Sequence, residues 1–390
     1  MAAMKTAYVL GAGFSYDAGI PVQGRLLELV EQRGLVDPVA RTVLERASGG
    51  AQRPALEDIF TLFDQTIARR QFCLGYSWRE IEHARKHLMD NILCVIHERS
   101  KDINNRWRRF YSSVVANWVV RRIAAGQETD CFSIISLNWD CLVEDMLYHC
   151  LREAGLVGAI DADFCCYTSP LSAECPHVPS VLQKAKGLFN IKIMKLHGSA
   201  NWLLCPNCNR LYTNVGADDD EWSQYVFPQD CPECQRVLPA ADPEEPGKNP
   251  ELEPFFITPT YLKEFDNPHI QMIWHNAHMA LAEADEIVFI GYSLPEADYH
   301  VRTLLRRAIG KDTPITAVLT LADEPKRGDR SALRNHFPAV RYRTFFGESR
   351  VSIRTCGMKG YFSGKINRKQ AMKRLATAGR RSAIRALVRD

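Results

Sequence analysis

The sequence predicts an α/β protein: a doubly wound, Rossmann-like parallel sheet with a helical insertion and a small zinc-binding insertion. Three observations predict this class. Short apolar runs recur along the 390 residues, and several are apolar at every position, as in strands buried on both faces of a parallel sheet. Amphipathic helical stripes separate these runs. Two stretches that interrupt the alternation have compositions of their own.

Six segments are predicted to be strands, and helical stripes follow the second and fourth of them. In these stripes apolar residues recur at i, i+3, i+4 and i+7, the spacing of one helix face. The strands are residues 6–10, 131–138, 191–197, 286–293, 315–320 and 340–346; the stripes are Val143, Met146, Leu147 and Cys150, and Val301, Leu304, Leu305 and Ala308. Strand, turn and helix in this order are typical of a doubly wound sheet.

Two insertions divide the Rossmann-like domain along the chain. One carries helical stripes such as Leu56, Ile59, Phe60 and Phe63, without a strand pattern, and the other is rich in Cys, Pro, Asp and Glu. We therefore predict a Rossmann-like domain from residues 1–24, 126–198 and 252–346, a helical insertion over 25–125, a zinc module over 199–251 and a basic C-terminal tail over 347–390.

Composition excludes several classes of protein. With 46% hydrophobic and 24% charged residues, the chain is neither disordered nor collagen-like. It has no apolar run of the roughly eighteen residues that a membrane helix needs. The N-terminus lacks the pattern of a secretory signal, so we expect a cytoplasmic protein with no membrane contact. The 13 cysteines are an odd number and are expected to be reduced thiols there.

The net charge of +3 hides an uneven distribution. Residues 364–390 hold nine Lys/Arg and one acidic residue, a local charge of +8, so the remaining chain carries about −5. A weak apolar stripe runs through this tail, formed by Ile366, Met372, Leu375, Ile384 and Leu387. The pattern is compatible with contact to nucleic acid, with an acidic partner surface, or with a solvated helix.

The segment GAGFSYDAGIP follows the first predicted strand. Gly11 and Gly13 lie where the strand turns into a helix, and without side chains they let backbone N–H groups approach an anion; Ser15 adds a hydroxyl. The next glycine is Gly19, so the dinucleotide spacing G-x-G-x-x-G is not met. The residues alone leave two alternatives open, a phosphate-binding loop or a tight turn with no ligand.

Polar residues end the next predicted strands as well. Asn138 and Asp140 in SLNWD, His197 in KLHGS, and Gly291 and Ser293 in FIGYS come where open α/β sheets bind ligands. An amide beside a carboxylate can hydrogen-bond the hydroxyls of a ribose and the amide of its leaving group. Histidine ordinarily titrates near neutral pH, so it can act as a general base. Taken singly, the first two are ordinary helix caps and the histidine an ordinary structural residue, and these interpretations stay open.

Two near-copies of a cysteine knuckle, CPNCNR and CPECQR, carry the most specific signal. Cys205 and Cys208 form one pair, Cys231 and Cys234 the other, with 22 residues between the pairs. Two such pairs make a closed tetrahedral Zn²⁺ site, and four sulfur ligands leave no position for water, so the metal is expected to be structural. Unligated thiols or a redox pair are the alternative.

In order, these motifs resemble the sirtuin family of NAD-consuming enzymes. The resemblance covers residues 5 to about 325 and consists of Gly-Ala-Gly-x-Ser with a later Gly-Ile-Pro, Asn-x-Asp after a strand, a His-Gly, two Cys-x-x-Cys knuckles and Gly-x-Ser. It implies a Rossmann-type fold with NAD as the substrate. The residues that it implies for the pyrophosphate are Gly11, Ala12, Gly13 and Ser15, and those for the adenosine side are Gly291 and Ser293.

The resemblance also implies catalytic roles for three residues. Asn138 would hold the ribose hydroxyls and a water molecule, and Asp140 would contact the nicotinamide amide or the developing cation. His197 would take a proton from a ribose hydroxyl or from the attacking water. Cleavage of the nicotinamide–ribose bond passes through an oxocarbenium-like state, as glycoside hydrolysis does.

Two segments depart from the deacylases of that family. In deacylases Asp-Phe-Arg usually comes after Gly-Ile-Pro, whereas this chain has GIPVQGRLLELV. Deacylases also have a Phe-Gly-Glu stretch that forms the acyl-lysine channel, and this chain has FFITPTYLKEF in its place. The chain is more similar to bacterial sirtuin-like proteins of anti-phage defence, which hydrolyse NAD. We therefore predict an NAD hydrolase that releases nicotinamide and ADP-ribose. The alternatives are an NAD-dependent lysine deacylase and a non-catalytic NAD or ADP-ribose sensor in a nucleic-acid complex.

The same resemblance implies partners. It suggests a homo-oligomer that is regulated by assembly or by a separate partner, such as an ATPase or a nucleic-acid sensor. The basic tail is the segment that we expect to contact nucleic acid or to serve assembly.

Overall fold

The computed structural model describes residues 4–47, 54–126, 130–157, 159–170, 189–213, 230–237, 250–261, 265–320, 337–363 and 369–377. In chain order its strands are β1 (Thr6–Leu10), β2 (Phe132–Ser136), β3 (Ile160–Asp163), β4 (Thr168–Pro170), β5 (Phe189–Lys195), β6 (Gly198–Leu204), β7 (Leu211–Thr213), β8 (Glu253–Phe256), β9 (Glu286–Ile290), β10 (Ile315–Val318) and β11 (Val351–Arg354).

Within the described residues, the main sheet has seven parallel strands in the order β11-β10-β9-β1-β2-β5-β3. Every residue of β1 and β2 is buried, as the uninterrupted apolar runs predict. The doubly wound α/β class is therefore confirmed. The strand order reverses beside β1, because β2 lies on one side of it and β9 on the other, and such switch points form crevices at the carboxyl edge of the sheet.

The register brings the carboxyl ends of five strands level. Leu10 pairs with Ser136 on one side and with Ile290 on the other, while Ser136 pairs with Lys195 and Ile290 with Val318. The turns that follow these strands consequently meet at one edge of the sheet.

Helices flank the sheet and build the insertions. They are α1 (Gly13–Tyr16), α2 (Gln23–Gln32), α3 (Pro38–Ala47), α4 (Leu56–Arg69), α5 (Trp78–Lys101), α6 (Asn105–Ala125), α7 (Leu142–Ala154), α8 (Pro232–Val237), α9 (Pro268–Ala282), α10 (Tyr299–Ala308), α11 (Phe337–Phe346) and α12 (Gly357–Phe362). None of these helices combines the length and the apolar character that a membrane crossing requires.

The helical insertion has a core of its own, which α2 to α5 build from residues such as Leu26, Val43, Phe63 and Ile92. A capping box at Ser77 begins the long helix α5. The last helix of the predicted insertion, α6, packs into the core of the main sheet instead.

The prediction of a strand over residues 340–346 is wrong, because α11 occupies Phe337–Phe346. The segment VRYRTFF alternates like an exposed strand. The buried residues of α11 are nevertheless Ala339, Tyr342 and Phe346, at i, i+3 and i+7, which is helical spacing. Phe289 of β9 contacts the rings of Tyr342 and Phe346, so tertiary packing determines the element here.

The main sheet continues beyond residue 346, where the sequence analysis ended it. β11 is its edge strand, and α12 and a helix over 369–377 follow. Ala371 and Leu375 of this last helix are buried in the main core. Of the apolar residues predicted in the basic tail, Ile366, Ile384 and Leu387 lie outside the described residues.

Candidate active site

A cavity of about 600 Å³ lies at the carboxyl edge of the main sheet. Its wall includes the turns that follow β1, β2, β5, β9 and β10. Neighbouring strands lie about 4.8 Å apart, so the ends of β5 and β9 are roughly 14 Å apart, which suits an elongated ligand. Eight of the nine predicted catalytic and nucleotide-binding residues line it, namely Gly11, Ala12, Gly13, Asn138, Asp140, His197, Gly291 and Ser293.

The glycine turn after β1 packs directly on the turn after β9. The N–H of Gly11 donates to the carbonyl of Ile290 (3.0 Å), and the N–H of Gly13 donates to that of Gly291 (2.8 Å). A Cβ added to Gly291 would lie 2.1 Å from the backbone nitrogen of Phe14. These glycines are therefore required for two turns to cross beside the cavity. The sequence analysis expected their N–H groups to approach an anion, whereas both N–H groups donate to backbone carbonyls of the neighbouring turn.

Ser15 is the predicted residue that does not line the cavity. It is fully buried behind the wall, where its hydroxyl donates to Oδ1 of Asp140 (3.0 Å) and accepts from Nδ2 of Asn138 (3.3 Å). Instead of facing a ligand, Ser15 joins the ends of β1 and β2 and fixes both side chains.

In the part of the chain that the structure describes, the Asn138 side chain has one bonded and one unsatisfied polar atom. Its amide nitrogen is occupied by Ser15, while its Oδ1 is buried and has no hydrogen-bond partner within the described residues. A buried acceptor without a donor costs free energy unless a ligand or water molecule satisfies it. Asn138 also lines the cavity, so the unsatisfied acceptor belongs to a residue of its wall.

Lys195 and Glu144 form a buried ion pair beneath the wall. Nζ of Lys195 lies 2.9 Å from Oε1 of Glu144 and donates to the carbonyl oxygen of Asp140 (2.5 Å), and the lysine side chain is fully buried. Burial lowers the pKa of Lys195, but the attraction of nearby negative groups, Glu144 first among them, is larger. The net effect is a raised pKa. Burial also raises the pKa of Asp140, which Lys195 offsets only in part. The ion pair thus supports the backbone of the turn that carries Asn138 and Asp140.

His197 lies at the end of β5 and is 8% exposed. Its carbonyl oxygen accepts a hydrogen bond from the N–H of Ile257 (2.8 Å), in the segment that follows the predicted zinc module. A Cβ on the next residue, Gly198, would lie 2.5 Å from the carbonyl oxygen of Phe255. The position of the histidine backbone is therefore set by β8 and the residue that follows it.

The opposite end of the cavity is formed by the turn after β9. Besides Gly291 and Ser293, Asp298 and Thr320 line it. Oδ2 of Asp298 accepts a hydrogen bond from the Tyr292 hydroxyl (3.0 Å), which fixes the carboxylate. This end therefore offers hydroxyl and carboxylate groups to a ligand.

The sequence analysis missed the contribution of the helical insertion to this wall. Arg25, Glu57 and Ile96 line the cavity, and burial raises the pKa of Glu57. An amphipathic pattern predicts that a helix has a buried face, but it does not say which distant strand end that helix meets. No sequence signal distinguishes these residues from those of an ordinary helical bundle.

The four predicted metal ligands come together as expected from their spacing. The Sγ atoms of Cys205, Cys208, Cys231 and Cys234 all lie within 4.8 Å of one another, and two pairs are 3.7 Å apart. Zn–S bonds of about 2.3 Å in a tetrahedron require sulfur atoms about 3.8 Å apart. The donor set and its spacing thus fit Zn²⁺. Strands β6, β7 and β8 support the cluster, and together with β4 they form a second sheet that the sequence analysis did not predict.

We expect purified protein to contain about one Zn²⁺ per chain. Cys231→Ser should lose most of this metal, because it removes a ligand from the closed set. The measurement is metal content by atomic absorption. Cys356→Ser is the matched control, since Cys356 is exposed and outside the cluster. Equal zinc content in both variants would contradict the assignment.

No protein-family model matches the chain, and no curated protein matches its sequence. Similar solved structures include a Sir2 homologue in complex with ADP-ribose, at 12% identity and a TM-score of 0.38, covering 97% of this chain and 93% of the other. A Sir2 homologue–NAD complex has 13% identity and a TM-score of 0.36, with 97% and 90% covered. Sir2Tm bound to a propionylated peptide has 11% identity and a TM-score of 0.35, with 92% and 90% covered. Identities and scores at this level support no inference about activity.

Proposed function

We propose that the protein binds NAD in this cavity and hydrolyses it to nicotinamide and ADP-ribose. The observation that carries the proposal is that Asn138 and His197 line the same cavity as the crossed glycine turns, with the free acceptor of Asn138 buried in its wall. The order of motifs that resembles the sirtuins supports NAD as the substrate. In this proposal the pyrophosphate lies over the turn at Gly11 to Gly13, and adenosine lies toward Ser293.

Hydrolysis breaks the bond between C1′ of the ribose and the pyridinium nitrogen. The electron pair of that bond leaves with nicotinamide and neutralises its ring, and positive charge develops on the ribose. In our proposal Oδ1 of Asn138 accepts a hydrogen bond from a ribose hydroxyl or from the attacking water. The water oxygen bonds to C1′, and His197 takes the proton that this oxygen loses.

Asp140 acts from a more restricted position than the sequence analysis supposed. Its Oδ1 accepts hydrogen bonds from the Ser15 hydroxyl and from the N–H of Leu142 (3.1 Å). We propose that it stabilises the developing cation from the wall. A carboxylate at this buried position acts in a low dielectric, where its attraction for a developing cation is stronger than in water.

Product analysis of the full chain tests the reaction type. We expect NAD alone to yield nicotinamide and ADP-ribose in equal amounts, and added acetyl-lysine peptide to yield no O-acetyl-ADP-ribose. O-acetyl-ADP-ribose formed only with peptide would identify a deacylase and overturn the hydrolase. Tight binding of ADP-ribose without turnover would identify a sensor.

The cellular context is part of the same proposal. We propose a cytoplasmic, sirtuin-like defence effector with a structural zinc, active as a homo-oligomer and restrained by assembly or a partner such as an ATPase. The charge of +8 on residues 364–390 supports contact with nucleic acid or with an acidic partner surface. Deletion of residues 378–390 should then lower DNA retention without changing NAD binding, since the helix over 369–377 is part of the core.

A further inference from the structure

Trp139 stands between the two polar residues at the end of β2 and lines the same cavity. Its ring contacts the ring of Phe256, with centroids 5.2 Å apart, and its indole N–H donates to the carbonyl oxygen of Ile257 (3.2 Å). Its own carbonyl oxygen accepts from the N–H of Ala200 (2.8 Å). A ring contact and a hydrogen bond therefore fix the indole, and a further hydrogen bond fixes the backbone of Trp139.

The segment that Trp139 contacts is fixed from its other side by the helical insertion. Nη2 of Arg85 in α5 donates to Oγ1 of Thr258 (3.1 Å), and Arg85 is itself paired with Asp64 (2.6 Å). Oγ1 of Thr61 in α4 lies 3.2 Å from that of Thr260. Trp139, Ile257, Thr258 and Thr260 thus form one continuous part of the cavity wall, which we call the indole wall.

The indole wall borders the reacting end of the cavity. Ile257 is hydrogen-bonded to the backbone of His197, and Trp139 directly follows Asn138. A nucleophile larger than water needs room beside these two residues to reach C1′. The fixed ring occupies space on this side, and it cannot move without breaking its contacts with Phe256 and Ile257.

We propose that Trp139 is a specificity-determining residue that restricts the nucleophile to water. This inference rests on the proposed function. In the competing step an alcohol replaces water: the bond between C1′ and nitrogen breaks with its electron pair on nicotinamide, the alcohol oxygen bonds to C1′, and the alcohol proton is released. With methanol the product is O-methyl-ADP-ribose. In this proposal the fixed indole wall disfavours that step by taking up space that the methyl group would need.

The test is the ratio of O-methyl-ADP-ribose to ADP-ribose that the full chain forms from NAD in dilute methanol. We expect wild type to form almost only ADP-ribose and Trp139→Ala to raise the ratio about tenfold, the discrimination that one methylene-sized group gives. Trp139→Leu should raise it less, because the side chain still fills part of the space. It also serves as the second variant if the alanine variant does not fold.

Trp274→Phe is the matched control. It also removes an indole N–H bonded to a backbone carbonyl, that of Leu196 (2.9 Å), but Trp274 does not line the cavity, so its ratio should equal that of wild type. An unchanged ratio in both Trp139 variants, with nicotinamide still released, would overturn this inference and leave the hydrolase proposal intact. A wild-type chain that releases no nicotinamide would overturn both.

Discussion

Gly291→Ala is expected to destabilise the protein by roughly 4 kcal/mol, from left-handed backbone strain and overpacking together. Gly291 has a φ of +66°, and its added Cβ would lie 2.1 Å from the nitrogen of Phe14 and 2.2 Å from the carbonyl carbon of Gly13. All these contacts are with backbone, so no side chain can move away. Urea unfolding measures the stability, and the affinity for ADP-ribose should fall with it because the glycine turn must move.

Gly155→Ala separates the two causes of this effect. Gly155 ends α7 with nearly the same φ, +67°, but nothing lies within 4 Å of the added Cβ. This control should lose only about 1–2 kcal/mol, the cost of the left-handed conformation. If Gly291→Ala were no less stable than Gly155→Ala, the crossing of the two turns would be looser than described.

Lys195→Met is expected to cost about 3–5 kcal/mol of unfolding free energy, because it leaves Glu144 charged and buried without a partner. Glu144→Leu in the same chain should restore most of this loss. A residual cost of about 1–3 kcal/mol should remain, since the carbonyl of Asp140 also loses its donor.

Lys192→Met provides the comparison on the same strand. Lys192 pairs with Asp130 at the surface, and their side chains are 29% and 41% exposed, so its loss should cost at most about 1 kcal/mol. Urea unfolding measures the stability of wild type, of Lys195→Met, of the double variant with Glu144→Leu, and of Lys192→Met. Equal costs for the two lysine variants, or a double variant no more stable than Lys195→Met, would contradict a buried ion pair that supports the site.

The sequence predicted the sheet, and most of the residues that it singled out line one cavity, because each signal was local. Uninterrupted apolar runs identified the central strands, and polar residues directly after them had to meet at one edge once the strands were parallel. The two Cys-x-x-Cys knuckles needed only their own spacing. Ser15 shows the limit of this reasoning, since its position in the motif did not tell whether the hydroxyl faced a ligand or the neighbouring strand end.

The features that the sequence did not predict depend on tertiary contacts. Residues 340–346 alternate like a strand, yet packing against Phe289 makes them a helix. Glu57 and Arg85 are ordinary residues of amphipathic helices, and only the docking of the insertion brings them to the cavity and to Thr258. Lys195 belongs to the motif KLHGS, but its burial beside Glu144 is a property of the assembled core.

The measurement that tests the central claim most directly is nicotinamide release from NAD by wild type, Asn138→Ala, His197→Ala and His275→Ala. His275 is an exposed histidine of α9 outside the cavity and serves as the control. We expect wild type and His275→Ala to release nicotinamide at equal rates, and the two cavity variants to be about 10²–10⁴-fold slower while still folded. Release by His197→Ala at the wild-type rate would contradict the assignment of this cavity as the active site.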